Sequence, residues 1–168
     1  KYLQEREIPL TVQGARTGIS GGASPEGGHI LNLSEMDRIL GLSYEGEEDV
    51  FYLEVEPGVI LSEMGEQLQQ QEFDREGWSR ESLAALEKLK KTTPRFFPPD
   101  PTETSASLGG MAACNASGSR SFYYGSTRDY FQEIQVILIN GQKLNLARER
   151  EQACGRNFSL KTSSSDRI

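Results

Sequence analysis

Apolar and polar positions alternate in several short stretches of the chain, and these give the first structural signal. Residues 9–13, PLTVQ, alternate and predict a strand; residues 29–34, HILNLS, predict another. Between them, residues 14–28 (GARTGISGGASPEGG) lack periodicity and are dense in glycine, which predicts a long loop. Residues 1–7 read as the end of a helix. Residues 34–40, SEMDRIL, place apolar side chains at helical spacing behind a serine, predicting a short helix or turn. Residues 50–59, VFYLEVEPGV, read as a strand closed by a Pro-Gly turn. Residues 61–73, LSEMGEQLQQQEF, predict a helix with Ser62 as N-cap. A further helix is predicted over residues 79–91, SRESLAALEKLKK, capped by Ser79, with Leu83, Leu86 and Leu89 as its apolar stripe. Residues 133–147, EIQVILINGQKLNLA, hold alternating runs on either side of Asn140-Gly141, a dipeptide that supplies the positive φ of a tight hairpin. Strands mixed with a few helices and a hairpin predict an α+β fold.

Composition narrows the function. The 168 residues suit one domain or a pair of small subdomains. A formal net charge of -7 argues against nucleic acid as a partner, because phosphate binding needs a basic surface. A hydrophobic content of 36% is low for a compact domain and points to many loops or to part of a larger core. No apolar run reaches transmembrane length and no signal-peptide pattern opens the chain, so the cytoplasm is the expected location. Cys114 and Cys154 are too few for a disulfide framework or a zinc quartet and fit a reducing compartment. His29 is the sole histidine, which excludes a site needing a pair of them from this chain.

Two stretches carry the candidate chemistry. In the loop after the first strand, Gly14, Gly18, Gly21 and Gly22 permit positive φ and leave backbone N–H groups uncovered. Successive exposed amides form a concavity that takes an anion, most often phosphate, and Arg16, Thr17 and Ser20 add donors. A strand follows the loop, the G-x-G-x-x-G spacing is missing and no G-K-[ST] occurs, so neither the dinucleotide fingerprint nor a P-loop is present. The second stretch is PPDPTETSASLGGMAACNASGSRSFYYGSTRD, residues 98–129. Its prolines hold an extended approach. Gly109, Gly110, Ala112, Ala113 and Ala116 then strip bulk from one wall, beside the short polar tips of Ser105, Ser107, Asn115, Ser117 and Thr127. Such a wall admits a flat, polar ligand close to the backbone. The plainer readings are a long connection for the first stretch and a Gly/Ala-rich loop packed beneath a sheet for the second.

Taken together and in order, these residues resemble a known family. VQGARTGISGGASP resembles the pyrophosphate loop of the FAD-binding PCMH-type domain of the vanillyl-alcohol oxidase/p-cresol methylhydroxylase superfamily. FFPPDPTETSASLGGMAACNASGSRSFYYGSTRDY is similar to its second flavin segment, and FQEIQVILINGQKL to the hairpin that follows. The branch most resembled is that of the glycolate oxidase subunit and D-lactate dehydrogenase. The resemblance implies α+β subdomains at residues 1–56 and 57–154, a mobile tail at 155–168, and truncation at both ends. It implies a first loop (Gly14, Ala15, Arg16, Thr17, Gly18, Ser20 and Gly21) that holds the FAD pyrophosphate through its amides. Asp100, Ser107, Gly109, Gly110, Asn115, Gly118 and Gly125 stand at the matching positions of the second segment, which would run along the pyrophosphate, the ribityl chain and the ring edge. Thr17 stands where covalent members carry histidine, so FAD is expected to be non-covalent. Ala15 and Arg16 replace glycines of many members; Arg16 either clamps phosphate or crowds the loop. The helix at 79–91 is expected to be a surface insertion.

The activity so implied is oxidation of a 2-hydroxy acid such as glycolate or D-lactate by hydride transfer to FAD. A cap domain outside this chain would bind the small-molecule substrate, and an electron-acceptor protein or subunit would be a partner, with peripheral attachment to a membrane through it left open. No catalytic or metal-binding residue is assigned here. The alternatives are an alkyl-glycerone-phosphate-synthase-like or sugar-oxidising enzyme of the same fold, or a non-catalytic nucleotide- or phosphate-binding module. Among single residues, His29 reads as a strand-end histidine, Cys114 as a small buried residue and Cys154 as an exposed thiol. Trp78 reads as a packing anchor, and YEGEEDV as a solvated turn. Arg128-Asp129 stays open between a flavin contact and an ion pair.

Overall fold

The computed structural model describes residues 2–150 and Leu160. Cys154 and, apart from Leu160, the tail at 155–168 lie outside the described residues. Strands β1 (Leu10–Gln13) and β2 (His29–Asn32) pair in parallel, with Leu10 opposite His29 and Gln13 opposite Asn32. Strands β3 (Ile39–Glu45) and β4 (Val50–Val55) form an antiparallel hairpin. Helices α1 (Leu61–Gln70), α2 (Arg80–Leu89), α3 (Leu108–Cys114) and α4 (Ser121–Tyr124) follow. A second antiparallel hairpin, β5 (Glu133–Ile137) with β6 (Lys143–Ala147), turns at Gly141, whose φ is +80°. The mixed content agrees with the α+β expectation. Among the described residues no helix is long and apolar enough to cross a membrane.

One buried cluster organises these elements. It joins Ile39 and Leu42 of β3, Leu61, Met64 and Leu68 of α1, Trp78, Ala85, Leu86 and Leu89 around α2, and Leu108 and Met111 of α3. It therefore draws on both sides of the boundary expected at 56/57. Helix α2 is a core element, which corrects the surface insertion expected at 79–91: Leu86 and Leu89 are 1% and 0% exposed. Ser79 caps it as predicted, its Oγ accepting the amide of Ser82 at 3.1 Å. Trp78 anchors its start by donating from the indole to the Ile39 carbonyl at 2.8 Å. Gln71 ties the far ends of α1 and α2, its Nε2 donating to the carbonyls of Leu89 and Thr92.

Other expectations change. Of the short helix or turn expected at residues 34–40, the turn forms at 34–35, while Ile39 and Leu40 already belong to β3. The spacing of Met36, Ile39 and Leu40 suits a helix, but Ile39 is held opposite Val55 by the strand that follows. The acidic turn YEGEEDV closes this hairpin. Near the N-terminus the helical element is only a 3-10 turn, Gln4–Arg6, stopped by Glu7 in the left-handed region. Ser62 does not cap α1. Ile60 takes that position, and the amides of Leu61 and Ser62 donate to the carbonyls of Ala106 and Thr104. Small residues read as an irregular wall form α3, because Leu108 and Met111 recur at helical spacing and both face the core. Cys114 is exposed rather than buried. The helix ends there, and Ala116, beyond the left-handed Asn115, packs against the core instead.

Leu89→Ala is expected to destabilise the protein by about 2–5 kcal/mol, because its side chain has no exposed surface through which a cavity could refill. Chemical denaturation checks this; a loss below about 1 kcal/mol would place α2 outside the core.

Candidate functional site

The candidate stretches meet at Ser107. Its Oγ accepts the amide of Ala15 at 3.3 Å, across ninety-two positions of sequence, and the residue is 2% exposed. A Cβ on Gly14 would lie 2.3 Å from that oxygen, and one on Gly110 would lie 3.1 Å from it. Gly14, Ala15, Ser107 and Gly110 are thus brought together, at the junction of the glycine loop with the start of α3.

The loop is pinned at its ends and open in its middle. Gln13 Nε2 donates to the Ala23 carbonyl at 2.8 Å, and the His29 amide donates to the Pro9 carbonyl at 2.9 Å. Gly28, at φ +76°, approaches Pro9 so closely that a Cβ would fall 2.2 Å from its carbonyl oxygen. Between these anchors, the amides of residues 16–22 find no acceptor among the described residues. Gly18, Gly21 and Gly22 have open space on their Cβ side. Arg16 takes the left-handed region at φ +61°, a conformation that anion-binding backbone concavities use. This donor set suits a pyrophosphate, which offers many acceptor oxygens and no donors.

The second segment divides into residues that face outward and residues that shape it. Gly110 and Ala113 are exposed, one helical turn apart on the outer face of α3. Gly109 lets α3 start hard against Pro57: its amide donates to the Pro57 carbonyl, and a Cβ would lie 2.6 Å from Pro57 Cβ. Gly118 passes so near the Asp100 carbonyl that a Cβ would be 1.6 Å from its oxygen, while its amide donates to Ser121 Oγ. Asn115 ends α3 at φ +46°, and its Oδ1 accepts the Arg128 amide at 3.0 Å. Gly125 turns at φ +88°, against the Asp129 carboxylate.

Asp100 is held by Arg120, whose Nε donates at 2.8 Å, and by the Ser119 hydroxyl at 3.3 Å. These contacts, the Arg120 hydrogen bond first, hold the Asp100 carboxyl below its ordinary range. Asp129 is also depressed, chiefly by the Ser126 amide that it accepts as part of a capping box. Asp129 therefore caps the turn Thr127–Tyr130 rather than forming an ion pair with Arg128. Thr127 is fully buried and donates from its hydroxyl to the Ala116 carbonyl at 2.7 Å. Arg120 and the capping role of Asp129 escaped sequence reasoning. Ser126-x-x-Asp129 matches a local capping pattern and was legible; the Arg120–Asp100 pair left no local signal. An open cavity of about 260 Å³, lined among others by Glu45, Tyr52, Gln132 and Arg148, belongs to neither stretch.

Because the folded pKa of Asp100 lies below its unfolded value, its contribution is complete above the ordinary carboxylate range and is lost as pH falls through it. Asp100→Asn is expected to lower the melting temperature at neutral pH, with the gap to wild type narrowing as pH falls below the ordinary carboxylate range and through the depressed folded pKa. Melting curves across pH check this, and a gap that persists unchanged at low pH would contradict it.

Comparison with known proteins places the chain in a family. The chain matches the family model described as "FAD binding domain" over residues 1–74 and 81–147, a span that includes both stretches and most of α2. It is 35% identical over 147 residues to D-lactate dehydrogenase of Anaerostipes hadrus, covering 87% of this chain and 26% of that protein. It is 32% identical over 139 residues to glycolate oxidase subunit GlcD of Bacillus subtilis (strain 168), covering 82% of this chain and 24% of that protein. The chain thus spans about a quarter of the length of these relatives. Xylooligosaccharide oxidase from Myceliophthora thermophila C1, solved in complex with xylobiose, superposes with a TM-score of 0.56 at 18% identity. That match covers 86% of this chain and 25% of the oxidase, and shows the shared fold. By sequence match and by architecture, the chain belongs to the FAD-binding domain family.

Proposed function

We propose that this chain is the FAD-holding part of a flavin-dependent oxidoreductase that oxidises a 2-hydroxy acid such as glycolate or D-lactate. The observation that carries the reading is the run of amides at residues 16–22, without acceptors among the described residues and tied at the neighbouring Ala15 amide, through Ser107, to the exposed strip of α3. The amides take the pyrophosphate, and their fixed orientation spares the reorganisation that water would need. Gly110 and Ala113 give the flat part of the cofactor close approach to α3. Asp100, Gly118, Asn115 and Gly125 keep the segment in shape through the contacts described above. FAD, when bound, supplies a two-electron acceptor that takes the C2 hydride while the hydroxyl proton leaves, giving a 2-oxo acid.

The loop side chains Arg16, Thr17, Ile19 and Ser20 include no histidine, cysteine or tyrosine, which supports non-covalent FAD. The substrate class follows from the D-lactate dehydrogenase and glycolate oxidase relatives. Substrate binding by a cap outside this chain and transfer of electrons to a protein acceptor complete the proposal, with the cytoplasm as its place of action.

The test is titration of the cofactor-free protein with FAD and with FMN, followed by flavin fluorescence and absorption. Saturable binding of FAD that is much tighter than that of FMN is expected, because only FAD carries the pyrophosphate. Binding of ADP without any flavin affinity would instead support a plain nucleotide module. Gly110→Leu is expected to weaken FAD at least tenfold without unfolding the protein, since the position is exposed and only Ser107 Oγ lies near it. Unchanged affinity would remove α3 from the flavin site.

A further inference from the structure

Arg16 is the one cation in the loop at residues 14–28, and it occupies the left-handed region at φ +61°. That conformation is disfavoured for any residue with a Cβ, and glycine would adopt it without penalty. Backbone strain persists where something else compensates for it, and such positions gather at ligand clamps. Nothing within the protein does so here. Arg16 is exposed and, among the described residues, has no hydrogen bond, ion pair or ring contact. Acidic residues outnumber basic ones, 25 to 18; Arg38, Arg95 and Arg120 each pair with a carboxylate, whereas Arg16, like Arg75 and Arg80, forms no ion pair among the described residues, and of these three only Arg16 stands in the glycine loop. The unpaired guanidinium projects from the same short segment whose amides lack acceptors. Both offer hydrogen-bond donors only, and both therefore call for the same kind of ligand, a multiply charged oxyanion. A planar guanidinium matches phosphate oxygens with two parallel N–H groups.

We infer that the Arg16 side chain clamps the pyrophosphate of FAD and supplies the fixed positive charge that the backbone amides lack. The inference rests on the flavin reading above and makes Arg16 a determinant of affinity for the dinucleotide form of the cofactor. The global field of an acidic protein repels that anion, so a local cation also makes binding sensitive to salt.

The experiment compares FAD titrations of the cofactor-free wild-type protein, Arg16→Gln and Arg16→Gly at low and high salt, alongside melting temperatures without cofactor. Arg16→Gln keeps the strained backbone and removes the charge; Arg16→Gly removes both. Each variant is expected to bind FAD about 10- to 100-fold more weakly at low salt, the loss typical of a charge-assisted hydrogen bond, and with a flatter salt dependence. Affinity for FMN should change less. Only Arg16→Gly should gain thermal stability, by about 1–4 °C, from relief of the strain. Retention of wild-type affinity by Arg16→Gln would overturn the inference. So would loss of affinity accompanied by a lower melting temperature in both variants, for Arg16 would then act by holding the loop in shape. If wild type binds no FAD at all, the flavin reading fails and the inference with it; equal binding by all three proteins sinks the inference alone.

Discussion

The structure depends on the backbone junction around Ser107. Within a few residues, Leu61 and Ser62 donate to Ala106 and Thr104, Leu108 donates to Val59, and Gly109 donates to Pro57. These bonds satisfy the first amides of α1 and of α3 at the same time, groups that a helix cannot satisfy internally. Ser107 completes the junction by accepting the Ala15 amide from the glycine loop. One buried hydroxyl thus connects the start of α3 with a loop that is remote in sequence. The amides of Leu108 and Gly109 are used up in this junction. Among the described residues the loop amides at 16–22 remain without acceptors, which divides the labour between a shaping segment and a binding one.

That division explains why glycine recurs in both stretches for different reasons. Gly109 and Gly118 allow backbone to pass against backbone, and a single added carbon would collide with Pro57 or with the Asp100 carbonyl. A Cβ on Gly18, Gly21 or Gly22 would meet nothing among the described residues, which leaves that side of the loop open. A substitution at the first pair would act on folding, and one at the second group on what binds there. By their local contacts, the glycines matched to FAD by resemblance divide into a set packed against other parts of the chain and a set with open space beside it.

Much of the architecture was legible in local pattern. β1, β2, β4 and the β5–β6 hairpin follow from alternation, and Ser79 with Leu86 and Leu89 gave α2 its start and its buried face. What escaped detection was set by distant partners. The approach to β3 carries the spacing of Met36, Ile39 and Leu40, which suits a helix, and pairing with β4 makes Ile39 and Leu40 part of a strand. The cap of α1 comes from backbone at residues 104–106, so Ser62 looked like a cap and is not one. The role of α2 in the core was hidden because its amphipathic face fits a peripheral helix equally well; the contacts of Trp78 and Gln71 decide it. Of the site, the glycine loop and the small-residue segment could be found from composition. Their meeting at Ser107 and the Asp100–Arg120 pair could not, since each joins positions with no local relation in sequence.

If the amides of residues 16–22 receive the FAD pyrophosphate, cofactor binding must protect them from solvent. Amide hydrogen exchange of the protein, with and without saturating FAD and with FMN for comparison, tests this directly. FAD is expected to slow exchange across residues 16–22, and FMN, which lacks the pyrophosphate, to slow it much less. FAD bound at saturation with exchange in that loop unchanged would contradict the placement of the cofactor.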